Sequence, residues 1–278
     1  MRLRVLIVSA LLSFNLIAQD NLQETFIGII DLDSIYGSFS GSFVLFDLNA
    51  GNSYRVYNDS LCSKRFSPCS TFKITNSLIG IESGVAENEY YLIEYDSINI
   101  APKPCWYTTE PLKHWMQDHT MKSAIKYSVV WYHQELARRI GAEKMEDLLN
   151  QISYGNNDIS SGIDNFWLCG SLKISAWEQV EFLKKLYNNK LPGFSIETQE
   201  IVKKIILYES TDKYKLYGKT GGGDCLDNKV IGWYIGFIET ESNTYIFGMN
   251  LLVNDYSDFD NNKRIELTKD ILRELKII

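Results

Sequence analysis

The sequence predicts an α+β fold, in which both ends of the chain contribute strands to one antiparallel sheet with flanking helices and a mostly helical region is inserted between them. Segments rich in β-branched and aromatic residues occur near both ends, at 42–47, 54–58, 214–217, 230–238 and 244–253. The turn 49–52 joins the first two. Helical patterns with proline-containing connections fill about 86–190, and this distribution of elements favours an inserted helical region.

The first helix is predicted over 70–81. Ile74, Leu78 and Ile81 recur on one side of it, and Gly84 is placed to end it. Serine at its start would have free backbone N–H groups and the positive end of the helix dipole nearby.

Four later segments carry helical signals. Apolar residues recur at helical spacing over 129–140, and Gly141 follows. A capping box at 175–178 starts the next helix, whose apolar side chains are expected to face the core. Amphipathic patterns at 201–208 and 264–275 complete the set.

Ser70 and Lys73 form a serine–lysine pair one helical turn apart. A lysine can take the proton of a nearby serine if burial keeps its amine neutral. Taken alone, this spacing also fits a capped surface helix with one solvated lysine.

Two further motifs follow in the chain. Ser128-Val129-Val130 opens a predicted helix, and Lys219-Thr220-Gly221-Gly222-Gly223 lies on or just after a predicted strand. Separately, the serine fits a helix cap and the lysine fits an exposed turn. In this order, the three motifs together form the active-site set of penicillin-recognising acyl-serine enzymes.

At these motifs the sequence resembles the class D β-lactamases, the oxacillinase family. The segments 126–132, Tyr154-Gly155-Asn156 and Phe166-Trp167-Leu168 carry the resemblance further. It covers nearly the whole chain after residue 18 and implies a β-lactamase/transpeptidase-like fold, with 19–278 as a single catalytic domain. The implied activity is hydrolysis of the β-lactam ring of penicillin-type antibiotics, which gives antibiotic resistance. Tyr154-Gly155-Asn156 is expected to shape a loop.

The resemblance also implies roles for single residues. Ser70 would attack the lactam carbonyl to give an acyl-enzyme. Lys73, reversibly carboxylated by carbon dioxide on its side-chain nitrogen, would be the general base. Ser128 would relay a proton to the departing nitrogen, and Lys219 would hold positive charge close to it.

Around the carbamate, the resemblance implies a dry pocket in which the indole N–H of Trp167 is the hydrogen-bond donor and the walls are Phe72, Val130 and Leu168. No other cofactor and no metal are expected.

For the substrate, the resemblance implies that Thr220 and Arg264 hold the carboxylate and that the N–H groups of Gly222 and Ser70 form the oxyanion hole. For Arg264, a solvated residue at a helix start is the alternative.

Composition and charge limit the partners. The chain has 278 residues, of which 45% are hydrophobic and 23% charged. Residues 1–18 have a basic start, an apolar run and a small residue at the end, which predicts a cleaved signal peptide, a periplasmic protein and no stable membrane anchor. The alternative is an uncleaved membrane anchor, which the short apolar run disfavours. Removing the segment takes away two arginines and no acid, so the net charge of −7 becomes −9. This charge disfavours nucleic acid and anionic membranes as partners, and it leaves the oligomeric state open.

The cysteines and histidines give no metal motif. The five cysteines are Cys62, Cys69, Cys105, Cys169 and Cys225, with no Cys-x-x-Cys pair, and the three histidines are scattered. Cys62 and Cys69 are the nearest pair, so they are expected to form either a disulfide or two reduced, partly buried thiols. The odd count requires one unpaired thiol.

Two other functions share the three motifs. One is the extracellular sensor of β-lactam receptors and the other is a cell-wall transpeptidase; both would stay acylated. Repeated turnover of a chromogenic cephalosporin would separate the hydrolase from either.

Overall fold

The fold is known from a computed structural model, which describes residues 4–5, 25–51, 53–226, 229–259 and 262–278. The strands are β1 (Arg4–Val5), β2 (Phe26–Ile29), β3 (Ser40–Asp47), β4 (Ser53–Tyr57), β5 (Leu92–Ile93), β6 (His119–Thr120), β7 (Leu207–Ser210), β8 (Tyr214–Leu226), β9 (Lys229–Thr240) and β10 (Thr244–Val253). The main sheet has the order β1-β2-β4-β3-β10-β9-β8-β7, and β5 pairs with β6 separately. Strands from both chain ends therefore meet where β3 pairs with β10, which confirms the predicted fold class.

One pair of neighbouring strands departs from the antiparallel pattern. β2 runs parallel to β4, with Phe26 opposite Ser53 and Ile29 opposite Val56. A parallel pair needs a crossover, and the chain between these two strands supplies one because it includes α1 (Asp33–Tyr36) and the whole of β3. The four-residue β2 was too short to be predicted from pattern.

The helices after α1 are α2 (Asp59–Cys62), α3 (Phe72–Glu82), α4 (Met121–Lys126), α5 (Val130–Ile140), α6 (Ala142–Ile152), α7 (Ala176–Tyr187), α8 (Ile196–Ile205) and α9 (Lys263–Glu274). Short 3₁₀ turns lie at Cys69–Thr71, Pro104–Tyr107, Leu112–His114 and Tyr256–Asp258. The predicted capping box is present at the start of α7, where Ser175 and Glu178 cap each other.

Side chains on the two faces of the sheet enter two different cores. On β3, Val44 and Phe46 pack with the helical region, whereas Phe43 and Leu45 pack with α9 and α1. This alternation is the two-residue period of a strand that is buried on both faces. Because the sheet is covered on both sides, its central strands are held firmly and can position side chains at their ends.

The pattern at 201–208 predicts one amphipathic segment, and this prediction is wrong for its last residues. The helix α8 ends at Ile205, and the chain then pairs as β7 along the edge of β8. β-branched and aromatic residues at this point fit either element, and pairing with β8 decides between them.

Of the two alternatives for Cys62 and Cys69, the disulfide is wrong. Both are buried free thiols, and the disulfide joins Cys169 to Cys225, 56 residues apart. The Cys62 sulfur lies against the carbonyl oxygens of Phe43 and Tyr57, whereas Cys69 faces β8. The alternative of two reduced thiols is the correct one.

The signal peptide predicted over 1–18 lies outside the described residues, except for Arg4 and Val5. Among the described helices, none combines the length and the apolar character that crossing a bilayer requires.

Candidate active site

The predicted site residues meet in one cleft between β8, the start of α9 and the helical region. Its volume is about 700 Å³. Eight of the predicted residues line it: Ser70, Ser128, Val130, Leu168, Lys219, Thr220, Gly222 and Arg264. Phe72, Lys73 and Trp167 are fully buried within the protein.

Ser70 and Lys73 form the closest pair in this cleft. Ser70 lies in the 3₁₀ turn Cys69–Thr71, and α3 begins two residues later, so the lysine is in the first turn of the helix. The Lys73 Nζ atom is 2.6 Å from Ser70 Oγ. Burial, and then the charge of Lys219, hold the pKa of Lys73 well below its usual value. Its surroundings therefore disfavour the charged form, and in its neutral form the amine can accept a proton from the serine hydroxyl.

Ser128 joins the two lysines. Its Oγ atom is 3.1 Å from Lys73 Nζ and 3.0 Å from Lys219 Nζ. Ser128 lies between α4 and α5 with a left-handed backbone, φ 55°, and the residue that caps α5 is Val129. The helix-cap alternative for Ser128 is thus wrong, and its hydroxyl is instead within hydrogen-bonding distance of both amines.

Lys219 lies on β8 rather than in an exposed turn. Only 6% of it is exposed, and its Nζ also donates to the Thr220 carbonyl oxygen at 2.9 Å. Burial, and then the nearby Arg264 charge, lower the pKa of Lys219 to about 7. It can therefore change protonation state near neutral pH, as a proton-relay group must.

Arg264 is buried in the first turn of α9, and the solvated alternative is wrong. Its guanidinium donates to the Gly221 carbonyl oxygen and lies over the Phe259 ring at 4.9 Å.

A side chain at Gly221 would come within 2.8 Å of the Pro68 carbonyl oxygen. Glycine at this position therefore lets β8 pack directly against the turn that carries Ser70.

Trp167 and Phe72 are buried together, and Phe72 directly precedes Lys73 in α3. Their rings stack with centroids 5.2 Å apart, and Val130 and Leu168 are half-buried at the cleft. Within the described part of the chain, Trp167 Nε1 is a buried donor with no acceptor. A buried donor without a partner is costly, so the pocket suits an added oxygen-bearing group such as a carbamate.

Sequence reasoning missed Ser67, which holds the Trp167 segment in place. The Ser67 hydroxyl donates to the Trp167 carbonyl oxygen at 2.9 Å and accepts from the Cys169 N–H at 3.0 Å. No local pattern indicates a contact across a hundred residues.

Tyr154 packs its ring against Phe72 at 5.8 Å, a position that fits the expected structural role of the Tyr-Gly-Asn element.

Sequence reasoning also missed the aromatic wall of the cleft. Trp115, Tyr256 and Phe259 line the cleft together with the predicted residues. They come from two segments far apart in the chain, Trp115 from one and Tyr256 and Phe259 from the other, so only folding brings them together.

Comparison with known proteins is consistent with this geometry. The model of the penicillin binding protein transpeptidase domain matches residues 41–273. The chain is 37% identical to the probable β-lactamase YbxI of Bacillus subtilis, over 99% of this chain and 96% of that protein. It is 38% identical to β-lactamase OXA-48 of Klebsiella pneumoniae, over 86% of this chain and 84% of that protein.

Solved structures give the same result. The class D β-lactamase YbXI from Nostoc superposes with a TM-score of 0.80 at 35% identity, covering 90% of this chain and all of that one. The C-terminal domain of the Bacillus licheniformis BlaR penicillin-receptor superposes with a TM-score of 0.81 at 33% identity, covering 92% and 99%. With its serine and lysine motifs gathered in one cleft, the chain belongs to the penicillin-binding transpeptidase family and, within it, to the class D serine β-lactamases.

Proposed function

We propose that the protein hydrolyses β-lactam antibiotics through an acyl-enzyme on Ser70. The observation that carries this proposal is the chain of contacts from Ser70 Oγ to Lys73 Nζ, on to Ser128 Oγ and then to Lys219 Nζ. A neutral Lys73 beside the nucleophile provides a base, and Ser128 provides a route by which a proton reaches the departing lactam nitrogen. The named relatives support the same reaction.

The rest of the cleft fits a small anionic substrate. Arg264, Lys219 and Thr220 gather at one end, where a carboxylate would be held. We assign the oxyanion hole to the N–H groups of Ser70 and Gly222. The apolar wall formed by Trp115, Tyr256 and Phe259 suits the side chain of a penicillin.

Our proposal includes reversible carboxylation of Lys73. Carbon dioxide reacts only with a neutral amine, and the lowered pKa of Lys73 supplies one. Trp167 Nε1 would donate to the carbamate, and Phe72, Val130 and Leu168 would keep water away. The carbamate would supply the general base that deprotonates Ser70 and then activates water for deacylation.

A second candidate function is a β-lactam sensor that stays acylated. The similarity to the BlaR penicillin-receptor domain favours it specifically, because that domain superposes as well as the β-lactamase from Nostoc does. In this case acylation would occur but water would not be activated.

Turnover tests the choice between the two functions. We expect the purified protein to hydrolyse nitrocefin through many cycles and to return to unmodified mass. One stoichiometric burst, followed by a stable adduct in mass spectrometry, would instead support the sensor. A result with neither adduct nor hydrolysis would contradict both candidates.

A further inference from the structure

A third sulfur lies against the disulfide beside the active site. The Sγ atom of Cys69 is 3.6 Å from the Sγ atom of Cys225, which is bonded to Cys169. All three sulfurs lie within 4.8 Å of one another. The backbone at Gly223 makes this possible, because a Cβ there would come within 2.7 Å of Cys169 and Cys225 and 2.9 Å of Cys69.

Each cysteine belongs to a different part of the site. Cys69 directly precedes the nucleophile Ser70, and Cys169 follows Trp167 by two residues. Cys225 lies near the end of β8, the strand that carries Lys219. The disulfide therefore ties the Trp167 segment to β8, while the turn of Ser70 contributes an unpaired thiol to the same cluster.

We propose that Cys69, Cys169 and Cys225 form a thiol–disulfide exchange site, in which Cys225 changes its bonding partner from Cys169 to Cys69. The Cys69 thiol first loses its proton to solvent. The thiolate electron pair attacks Cys225 Sγ, and a bond between these two sulfurs forms. The bond to Cys169 breaks, and Cys169 leaves as a thiolate that takes a proton from water. The protein holds one disulfide before and after, so no oxidant or reductant is consumed.

Exposure of Cys169 favours its departure, whereas burial of Cys69 slows the attack. Solvent stabilises the departing thiolate of Cys169. Burial raises the pKa of Cys69 to about 11, although a hydrogen bond from Ser67 and the charges of Lys73, Lys173 and Arg264 act in the opposite sense. Cys69 therefore rests as a thiol near neutral pH, and exchange accelerates as pH rises towards that value.

A metal site explains the cluster less well. Two of the three sulfurs are bonded to each other, so only one thiol in this state could become a ligand. Thiolates, not disulfide sulfurs, bind soft metal ions strongly. The exchange reaction uses the sulfurs as they are joined here.

Exchange would change which part of the active site is covalently tied to β8. The turn of Ser70 would become cross-linked, and the Trp167 segment would be released. If the carbamate proposal above holds, release of the Trp167 donor should make deacylation depend more strongly on added bicarbonate. This consequence rests on the proposed function, but the exchange itself does not.

Disulfide mapping of the unmodified protein tests the proposal. The protein is incubated in mildly alkaline buffer without added thiol and quenched with acid. It is denatured in the presence of N-ethylmaleimide, which labels the free thiols. It is then digested with pepsin, since low pH prevents further exchange. We expect a peptide pair that joins Cys69 to Cys225, with label on Cys169. Cys105 is a free, exposed thiol and serves as the internal reference for labelling. A map that shows only the pair joining Cys169 to Cys225, with label on Cys69 at every time point, would overturn the proposal.

Two variants test whether Cys69 reaches Cys225 and whether the exchange is specific to this cluster. With Cys169→Ala, oxidised glutathione should drive formation of the Cys69–Cys225 disulfide and release two glutathione thiols. If Cys225 is recovered as a glutathione adduct instead, Cys69 does not reach it and the proposal fails. Cys62→Ala is the matched control, because it removes a buried free thiol from outside the cluster; it should leave the wild-type exchange unchanged. Both readouts are covalent, so they are independent of β-lactam hydrolysis.

Discussion

The indole of Trp167 stacks on the ring of Phe72 at 5.2 Å, with an interplanar angle of 27°. This stacking holds the indole against the residue that directly precedes Lys73 in the chain, and its N–H has no acceptor among the residues that the structure describes. The arrangement leads directly to a test of the carbamate.

Replacing Trp167 by Phe should keep an apolar wall but remove the donor. A lost hydrogen bond to a charged group costs about 1.5–3 kcal/mol, so carbon dioxide should bind roughly ten- to hundred-fold more weakly. Acyl-enzyme should accumulate, and added bicarbonate should restore deacylation. Acidification should have a similar effect on the wild type, because a protonated Lys73 cannot react with carbon dioxide.

Carbon-13 NMR of protein equilibrated with labelled bicarbonate measures the carbamate directly. We expect a carbamate signal in the wild type that weakens in Trp167→Phe and more so in Trp167→Ala. A wild type with no such signal and with bicarbonate-independent deacylation would exclude the carbamate and leave the serine acyl-enzyme untouched.

Ser70→Ala should abolish turnover and leave a folded protein, because its hydroxyl forms the acyl bond. Mass spectrometry after incubation with a penicillin should show no adduct, and circular dichroism should match the wild type. An adduct on a different residue, or hydrolysis at the wild-type rate, would show that the nucleophile is misassigned.

Ser128→Ala should slow acylation strongly while Ser70 remains able to form the adduct. Loss of a proton relay typically costs about 10²–10⁴-fold in rate, and stopped-flow measurement of acylation would report it. Ser195→Ala is the matched control, since it removes a helix-capping serine outside the cleft lining. Its acylation rate should equal that of the wild type, and equal rates in both variants would remove Ser128 from the mechanism.

Lys219 should make the protein more stable as pH rises above neutral. Its pKa is about 7 in the folded protein and near 10.5 when exposed, so between these values the unfolded state binds more protons. The free energy of unfolding should therefore increase with pH in this window, by up to about 1.4 kcal/mol per pH unit.

Urea denaturation of wild type and Lys219→Met at several pH values tests this contribution together with its coupling to Lys73. The wild type should gain stability relative to Lys219→Met as pH rises. A difference that does not vary with pH would mean that Lys219 keeps an ordinary pKa in the fold.

Sequence patterns alone determined the strands near both chain ends, the helix after Ser70 and the three motifs. Each depends on residues that are close in the chain. Ser175 and Glu178 of the capping box are three residues apart, and Ser70 and Lys73 are one helical turn apart. Residues that are close in the chain also lie close together in a helix, so their spacing in the sequence reveals these relations.

Tertiary structure alone decided the contacts between distant segments. It joined Cys169 to Cys225 instead of Cys62 to Cys69, and it turned the end of the 201–208 pattern into an edge strand. It also placed Ser67 against Trp167. These outcomes depend on which segments pack together, since burial and pairing with β8 select among conformations that the local sequence leaves equally available.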